Sequence, residues 1–294
     1  MSTEAIQADF TLFDTWTLDA RLDALAEANR RAVTSVQNAL PQLVQASEGI
    51  GERLINGGRL VYIGAGTSGR LALQDAAELE PTFGFDKTVV LLAGGEAAGQ
   101  EAQEGAEDDE EAGAEAVRLA EVGPQDAVVG LAASGRTPYT VAGVEEARAL
   151  GAFTIGVANN PNTLLLETAH APILLETGPE VIAGSTRLAA GTAQKIVLNC
   201  LSSALMPDLG RVYKNLMVGM RPVNEKLYAR AVQIVVAATE ASEEAAREAL
   251  KGTAWDIREA IVCVETGLGA EASGRVLEQH GGHIRKAIQA ARQR

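Results

Sequence analysis

The chain has 294 residues, of which 47% are apolar, 22% charged and 4% aromatic, and its formal net charge is −14 at pH 7. This composition is typical of a globular protein with an aliphatic core, and the acidic balance argues against nucleic acid or an anionic membrane surface as a partner. The chain has no apolar run of the roughly 18–20 residues that a membrane helix needs, and we expect no secretory signal at its start.

The first part of the chain is predicted to be helical and the middle part to be a sheet. Residues 11–56 carry apolar side chains at helical spacing, with a break at Pro41. Five short apolar runs rich in β-formers follow, at 59–64, 88–94, 126–134, 152–159 and 171–176. The runs do not alternate with polar residues, which is expected for strands covered by helices on both faces. Helical patterns between the first four predict an α/β fold with a doubly wound, five-stranded parallel sheet in the flavodoxin-like order 2-1-3-4-5.

The last third of the chain is predicted to be helical again, because strand signals stop near residue 186. Residues 186–209 predict one long helix. Residues 224–291 predict four short helices, separated by turns at Gly252, Gly267–Gly269 and Gly281–Gly282. We therefore expect three parts: N-terminal helices at 1–56, a sheet domain at 57–222 and a small all-helical module at 223–294.

Two similar turns follow the first and third predicted strands. Residues 64–70 read GAGTSGR and residues 132–138 read AASGRTP. Strands 1 and 3 are neighbours in the predicted order, at the edge where doubly wound sheets bind ligands. Each turn opens a helix, whose free N–H groups and positive dipole end hold anions. The predicted phosphate-binding residues are Gly66, Thr67, Ser68, Gly69, Ser134, Gly135, Arg136 and Thr137.

Two other interpretations of these turns stay open on the residues alone. GAGTSG fits a loose dinucleotide-binding pattern, and Glu96 after the second strand is in position to contact a ribose. A nicotinamide fold, however, has no role for the second turn. The other alternative is that both turns are ordinary helix N-caps.

Several motifs together identify a family. GAGTSGRL, AASGRTPY and GSTRLAAGTAQK occur in this order, with EGAEDD and NEKL between and after them. From about residue 58 to 230 the chain resembles the sugar isomerase (SIS) domain family, and more closely the bacterial N-acetylmuramic acid 6-phosphate etherases. The resemblance implies a homodimer of SIS folds that acts on a sugar phosphate with no metal and no other cofactor.

The resemblance also implies a reaction, a carbon–oxygen lyase reaction of amino sugar catabolism and peptidoglycan recycling. The D-lactyl ether of N-acetylmuramic acid 6-phosphate is cleaved by elimination and then hydration, which gives N-acetylglucosamine 6-phosphate and D-lactate. One group takes the proton at C2 and another protonates the departing oxygen, so two carboxyls are needed. The family's acid lies in the segment DAAELEPTFG, which places it at Glu78, and the second catalytic glutamate lies in EGAEDD, at Glu107.

A third segment, residues 179–195, follows the fifth strand and completes the predicted site. Ser185 and Thr186 are expected to cap the next helix and to contact the ligand. Glu180 is a predicted polar contact. Arg187 and Lys195 either supply positive charge or form surface ion pairs.

Helix geometry predicts that the site is shared between subunits. Thr67 and Glu78 are eleven residues apart, which is about 16 Å along one unbroken helix. A hexose phosphate is shorter than this. We therefore expect Glu78 to reach a site formed partly by a partner subunit.

The chain departs from the family's usual sequence at a few positions. Ala77, Leu79 and Glu80 replace Ser, Cys and Pro beside Glu78, Ala189 replaces Lys, and the N-terminal segment TWTLDARLDALAEANRRAV differs as well. These departures concern the substrate. An aldose–ketose isomerase on another sugar phosphate is an alternative, because it uses the same proton abstraction beside a carbonyl. A second alternative is a non-catalytic sugar-phosphate sensor like the glucokinase regulatory protein, which resembles this family. The presence of both glutamates favours an enzyme.

The remaining reactive side chains are expected to be structural. His170, His280 and His283 match no catalytic position. Cys200 and Cys263 lie in apolar helical patterns, so we expect buried free thiols. With no Cys/His cluster, zinc is not expected, and the cysteine usage suits a cytoplasmic location.

Overall fold

The computed structural model describes residues 2–101 and 103–293. The chain forms two compact units. The first contains the residues up to Ala76 together with Lys87–Ser203, and the second contains Ala77–Asp86 together with the residues from Ala204 onward. The division at 56/57 and 222/223 stays a prediction about domains.

Two long helices open the first unit. Short 3-10 turns at Ala8–Phe10 and Phe13–Thr15 precede α1 (Leu18–Asn38). The second helix, α2 (Leu40–Ile55), carries Pro41 in its first turn, where no N–H is required for helix hydrogen bonds. The predicted break near Pro41 is confirmed.

The sheet of the first unit has the predicted topology. Its strands are β1 (Leu60–Gly64), β2 (Thr88–Leu92), β3 (Ala127–Leu131), β4 (Phe153–Ala158) and β5 (Ala171–Leu174). They are all parallel, in the order β2-β1-β3-β4-β5. Gly64 pairs with Leu92 on one side and Leu131 on the other, so the turns after β1 and β3 start side by side.

Helices cover both faces of this sheet. They are α3 (Gly66–Phe83), α4 (Glu110–Leu119), α5 (Pro138–Ala149), α6 (Leu164–Thr168) and α7 (Ala189–Leu205). Val61, Ile63 and Val128 pack with Val144 of α5 in one apolar cluster. Tyr62 points the opposite way, as strand alternation requires, and donates a hydrogen bond to Asp75 of α3.

The second unit has its own core and differs from two predictions. It contains a hairpin of β6 (Val212–Tyr213) and β7 (Leu216–Met217), so the expected end of strands near residue 186 is wrong. Its helices α8 (Glu225–Thr239), α9 (Glu243–Gly252), α10 (Ile257–Thr266), α11 (Ala270–Gln279) and α12 (Ile284–Arg292) are five, not four. Glu240 ends α8 at φ +61. Glycine usually occupies this left-handed position at the end of a helix, and because no glycine stands here the sequence pattern did not indicate that α8 and α9 are separate helices.

Neither a membrane span nor a metal site occurs in the described part of the chain. No helix there is long and apolar enough to cross a membrane, and no group of three metal-ligating side chains comes together. The expectation of buried thiols is wrong for Cys200, which is exposed, and Cys263 is half-buried.

Candidate functional site

Two glycines allow the first turn to lie directly against the end of β1. A Cβ built on Gly64 would lie 3.0 Å from the Gly69 nitrogen and 3.2 Å from the Leu131 oxygen. A Cβ on Gly69 would lie 2.7 Å from the Gly64 oxygen. Side chains at either position would push α3 away from the sheet, so these glycines hold the start of α3 at the predicted ligand edge.

The first turn keeps its hydroxyls available. Gly66 begins α3 at φ +52, Thr67 is half-buried and Ser68 is buried. Neither hydroxyl donates a hydrogen bond to any other described residue, and the N–H groups at this end have no helical acceptor. Arg70 is not part of this surface, because its guanidinium donates to the Ala98 and Glu101 carbonyls at 2.8 and 3.2 Å.

The second turn is built differently from the first, although both read Ser-Gly-Arg. It lies before α5 rather than inside a helix. The Ser134 hydroxyl accepts a hydrogen bond from the Arg136 N–H at 3.2 Å, and the Arg136 guanidinium donates to the Asn162 carbonyl at 3.3 Å. Thr137 is the N-cap residue, but its side chain caps no N–H. An ordinary cap therefore does not account for Thr137.

The third segment shows that Glu180 has a structural role. Glu180 is only 1% exposed. Its carboxylate oxygens accept from the N–H groups of Ala189 and Ala190, at 3.0 and 2.9 Å, which are the first residues of α7. The prediction that Ser185 and Thr186 cap this helix is therefore wrong. A glutamate nine residues before a helix is not a recognisable capping signal, so this contact could not be predicted from the sequence.

The first turn and the third segment meet at α7. A Cβ built on Gly191 would lie 3.4 Å from Cγ2 of Thr67 and 3.3 Å from the Thr186 oxygen. Since the Ser134 turn follows the adjacent strand β3, the structure brings all three predicted ligand segments to one edge of the sheet. The exposed Arg187 makes no ion pair with any described residue, and Lys195 donates to the Asn199 side chain.

Sequence reasoning missed Thr3, which fixes the N-terminal segment to this edge. Thr3 is fully buried. Its N–H donates to Oδ1 of Asn160 and its hydroxyl accepts from Nδ2 of Asn160, both at 2.9 Å. Its carbonyl accepts from the Glu180 N–H at 3.3 Å. No periodicity or motif marks this residue, because its partners are more than 150 positions away.

The fixed segment forms one wall of a cavity beside the second turn. The cavity measures about 300 Å³ and is lined by Ser2, Glu4, Ser134, Arg136, Asn160 and Pro161. The N-terminal residues therefore belong to the surroundings of the candidate site.

The two predicted catalytic glutamates are both exposed on this chain. Glu78 lies on α3, which runs without a break from Gly66 to Phe83, and it belongs to the second compact unit. Glu107 lies in a 3-10 turn, Ala106–Asp108, of the first unit. Their catalytic roles stay a prediction.

Two of the three histidines, His170 and His283, have structural surroundings. His170 stacks on Phe153, with ring centroids 5.8 Å apart, and its Nδ1 lies 2.9 Å from the Thr154 hydroxyl. Burial, together with the charges of Arg148 and Arg53, lowers the pKa of His170. Burial also lowers the pKa of His283, the N-cap residue of α12.

Gly135→Ala is expected to destabilise the protein by about 2–4 kcal/mol, because it combines an unfavourable φ with a steric clash. Gly135 has φ +68, and a Cβ there would lie 2.3 Å from Oγ1 of Thr163. Gly105 has φ +75 and ψ −11, in the left-handed region, but no atom within 4 Å of the same Cβ position. Urea unfolding should therefore show a clearly smaller loss for Gly105→Ala, and equal losses would contradict the tight contact at Thr163.

Comparison with known proteins identifies the family. Residues 42–147 match the glucokinase regulatory protein N-terminal SIS domain, and residues 104–203 match the SIS domain. A phosphoheptose isomerase from Francisella tularensis has a similar fold, with a TM-score of 0.50 at 18% identity over 65% of this chain and 98% of that chain.

Curated relatives extend the likeness to nearly the whole chain. The N-acetylmuramic acid 6-phosphate etherase of Deinococcus radiodurans is 49% identical over 288 residues, which cover 97% of this chain and 94% of that protein. The etherase of Mycolicibacterium smegmatis is 46% identical over 98% of this chain and 97% of that protein. This chain therefore belongs to the N-acetylmuramic acid 6-phosphate etherase family of SIS-domain proteins.

Proposed function

We propose that this protein cleaves the D-lactyl ether of N-acetylmuramic acid 6-phosphate and releases N-acetylglucosamine 6-phosphate and D-lactate. The observation that carries the proposal is the edge where the Thr67 turn, the Ser134 turn and the Thr186 segment meet, with hydroxyls and helix N–H groups free to hold a phosphate. The choice of substrate rests on the relatives, which are named N-acetylmuramic acid 6-phosphate etherases. In this role the enzyme is a carbon–oxygen lyase of amino sugar catabolism and peptidoglycan recycling, in the cytoplasm.

The reaction needs a base and an acid on the open-chain aldehyde of the substrate. The base removes the C2 proton, which the neighbouring aldehyde acidifies, and the electron pair expels the lactyl oxygen from C3. The acid protonates that oxygen, so D-lactate leaves and a C2–C3 double bond forms. Water then adds to C3 and a proton returns to C2. Glu78 and Glu107 are the carboxyls that we assign to these proton transfers.

The exposure of both glutamates supports a shared site in a homodimer. A carboxyl that acts as an acid near neutral pH needs burial or a nearby negative charge, and on this chain alone both glutamates face solvent. Several large apolar side chains are also exposed on α1 and α2, namely Leu18, Leu22, Val33, Leu40 and Val44. Apolar surface of this kind is typical of an interface, and a second copy of the chain is the partner that we propose for it.

The test is to incubate the purified protein with N-acetylmuramic acid 6-phosphate in water enriched in ¹⁸O. We expect D-lactate release, with the heavy oxygen at C3 of the amino sugar product and not in lactate, because elimination breaks the bond between C3 and the ether oxygen. Label in lactate would contradict the elimination. Saturable binding without lactate would support the sensor, and a ketose product without lactate would support the isomerase.

A further inference from the structure

A second cavity lies entirely within the second compact unit. It measures about 430 Å³ and is lined by residues 218–223, Tyr228 and residues 253–258. This volume lies within the range of roughly 300–1,000 Å³ that small-molecule sites occupy. The segment 218–228 includes NEKL at 224–227, a motif of the family to which the proposed reaction gives no role.

The backbone that places the aromatic wall of this cavity is strained. Ala254 and Trp255 are consecutive non-glycine residues with φ +48 and +67. Residues with a Cβ rarely adopt this conformation, and strain of this kind concentrates at ligand sites. The Trp255 N–H donates to the Leu250 carbonyl at 2.7 Å, and the Trp255 and Tyr228 rings meet edge to face with centroids 4.5 Å apart. The strained turn thus presents a fixed aromatic pair to the cavity.

Positive charge collects around the same cavity. Arg221 and Arg258 line it. Arg258 is paired with Asp256 at 3.0 Å, but its buried Nε has no hydrogen-bond partner among the described residues. Arg221 is exposed and makes no ion pair within the described part of the chain.

A third arginine, Arg211, adds to this charge although it does not line the cavity. Burial lowers the pKa of Arg211, and the charges of Arg258 and Arg221 lower it further, whereas Asp86 and Asp256 oppose the effect. A bound anion would offset this mutual repulsion. In a chain with a net charge of −14, these three arginines and the two aspartates near them leave a local excess of positive charge.

We propose that this cavity is a second ligand site, separate from the sheet edge, and that it binds a sugar phosphate. Guanidiniums suit phosphate because their N–H groups match its oxygens in pairs. The apolar face of a sugar ring suits the Trp255 and Tyr228 rings. A free inorganic anion would use the arginines but not the aromatic wall.

The wall of this cavity also contacts the end of α3, within the same unit. A Cβ built on Gly219 would lie 2.0 Å from the Phe83 oxygen, and one on Gly84 would lie 2.3 Å from the Gly219 oxygen. Because these backbones touch, a ligand that orders residues 218–221 also orders the end of the helix that carries Glu78. Provided the proposed function holds, occupancy of the second site should change kcat more than KM.

Tryptophan fluorescence gives a direct test of binding, independent of etherase activity. The chain has two tryptophans, Trp16 and Trp255, so Trp16→Phe leaves Trp255 as the sole reporter. In this background we would titrate glucose 6-phosphate, with inorganic phosphate and glucose as comparisons at matched ionic strength. We expect the change in Trp255 fluorescence to saturate at a lower concentration of glucose 6-phosphate than of inorganic phosphate. Glucose should cause no change.

Matched arginine variants decide where the ligand binds. Arg221→Gln should raise the apparent Kd about tenfold or more, since one charge-assisted hydrogen bond is lost. Arg247→Gln removes the same charge from an exposed position on α9 outside the cavity and should leave the Kd unchanged. Equal changes in Kd for the two variants would overturn the proposal. It would also be overturned if Ser134→Asp abolished the change in Trp255 fluorescence while Arg221→Gln kept it. Equal midpoints in the fluorescence titrations with phosphate and with glucose 6-phosphate would overturn the proposal that the cavity recognises the sugar ring.

Discussion

Glu78→Gln is expected to lower the rate of D-lactate release by about a thousandfold, within the range of roughly 10²–10⁴ that a positioned acid or base contributes. The amide keeps the shape of the side chain and removes the proton transfer. Because Glu78 is exposed on α3, the free energy of unfolding should change by less than about 0.5 kcal/mol. Steady-state lactate assays and urea unfolding of the same preparation measure both quantities.

Glu80→Gln is the matched control for this variant. Glu80 is two residues along the same helix and is also exposed, but it replaces a family proline and has no proposed catalytic role. We expect its rate to stay within a few-fold of the wild type. A loss as large in Glu80→Gln as in Glu78→Gln would show that the local charge matters rather than Glu78 itself.

Mixed dimers test whether Glu78 acts across subunits. Ser134→Asp places a carboxylate in the predicted phosphate turn and should block that turn by repulsion. Coexpressed Glu78→Gln and Ser134→Asp chains should recover about a quarter of the wild-type activity, since half of the random pairs are mixed and one of their two sites is intact. Activity no higher than that of either parent would place both groups in a single-chain site.

The sheet order and the ligand edge were predictable from local pattern. Apolar runs without alternation indicate strands that are buried on both faces. The strand–helix repeat then leaves few possible orders of the strands in a parallel sheet. The position of the Ser134 turn follows from this order alone. These features depend on residues that are close in the sequence or repeat regularly along it.

The features that could not be predicted depend on distant partners. Glu180 caps α7, and Thr3 joins Asn160 and Glu180 across more than 150 residues. Gly191 lies close to both Thr67 and Thr186, which are far apart in the sequence. A glutamate at φ +61 ends α8 where a glycine is the usual signal. In each case the determining contact is tertiary, and neither composition nor periodicity records it.

Asp75→Ala is expected to destabilise the protein by about 3–5 kcal/mol, because it leaves several buried donors without an acceptor. Asp75 is 6% exposed. Its carboxylate accepts from the Tyr62 hydroxyl at 2.9 Å, from Nδ2 of Asn199 at 2.8 Å and from the Ser202 hydroxyl at 3.3 Å. The contact therefore ties α3 to β1 and α7 beneath the candidate site.

A double-mutant cycle with Tyr62→Phe isolates one of these bonds. Phenylalanine removes the donor that Asp75→Ala would leave unpaired, so the double variant should be more stable than the sum of the single effects predicts, by about 1–2 kcal/mol. Additive losses in urea unfolding would show that the hydroxyl finds another acceptor.

The same bond predicts how stability changes in alkaline solution. Burial, and then the charge and hydrogen bond of Asp75, raise the pKa of Tyr62 well above its ordinary value. The folded state therefore favours the protonated phenol, and its contribution to stability is complete below about pH 10 and is lost as the pH rises past the pKa of the unfolded chain. Tyr62→Phe should flatten this decline in the unfolding free energy above pH 10. An equally steep decline in the variant would show that other groups cause the alkaline sensitivity. Burial also raises the pKa of Tyr139, so Tyr139 would be the next residue to substitute.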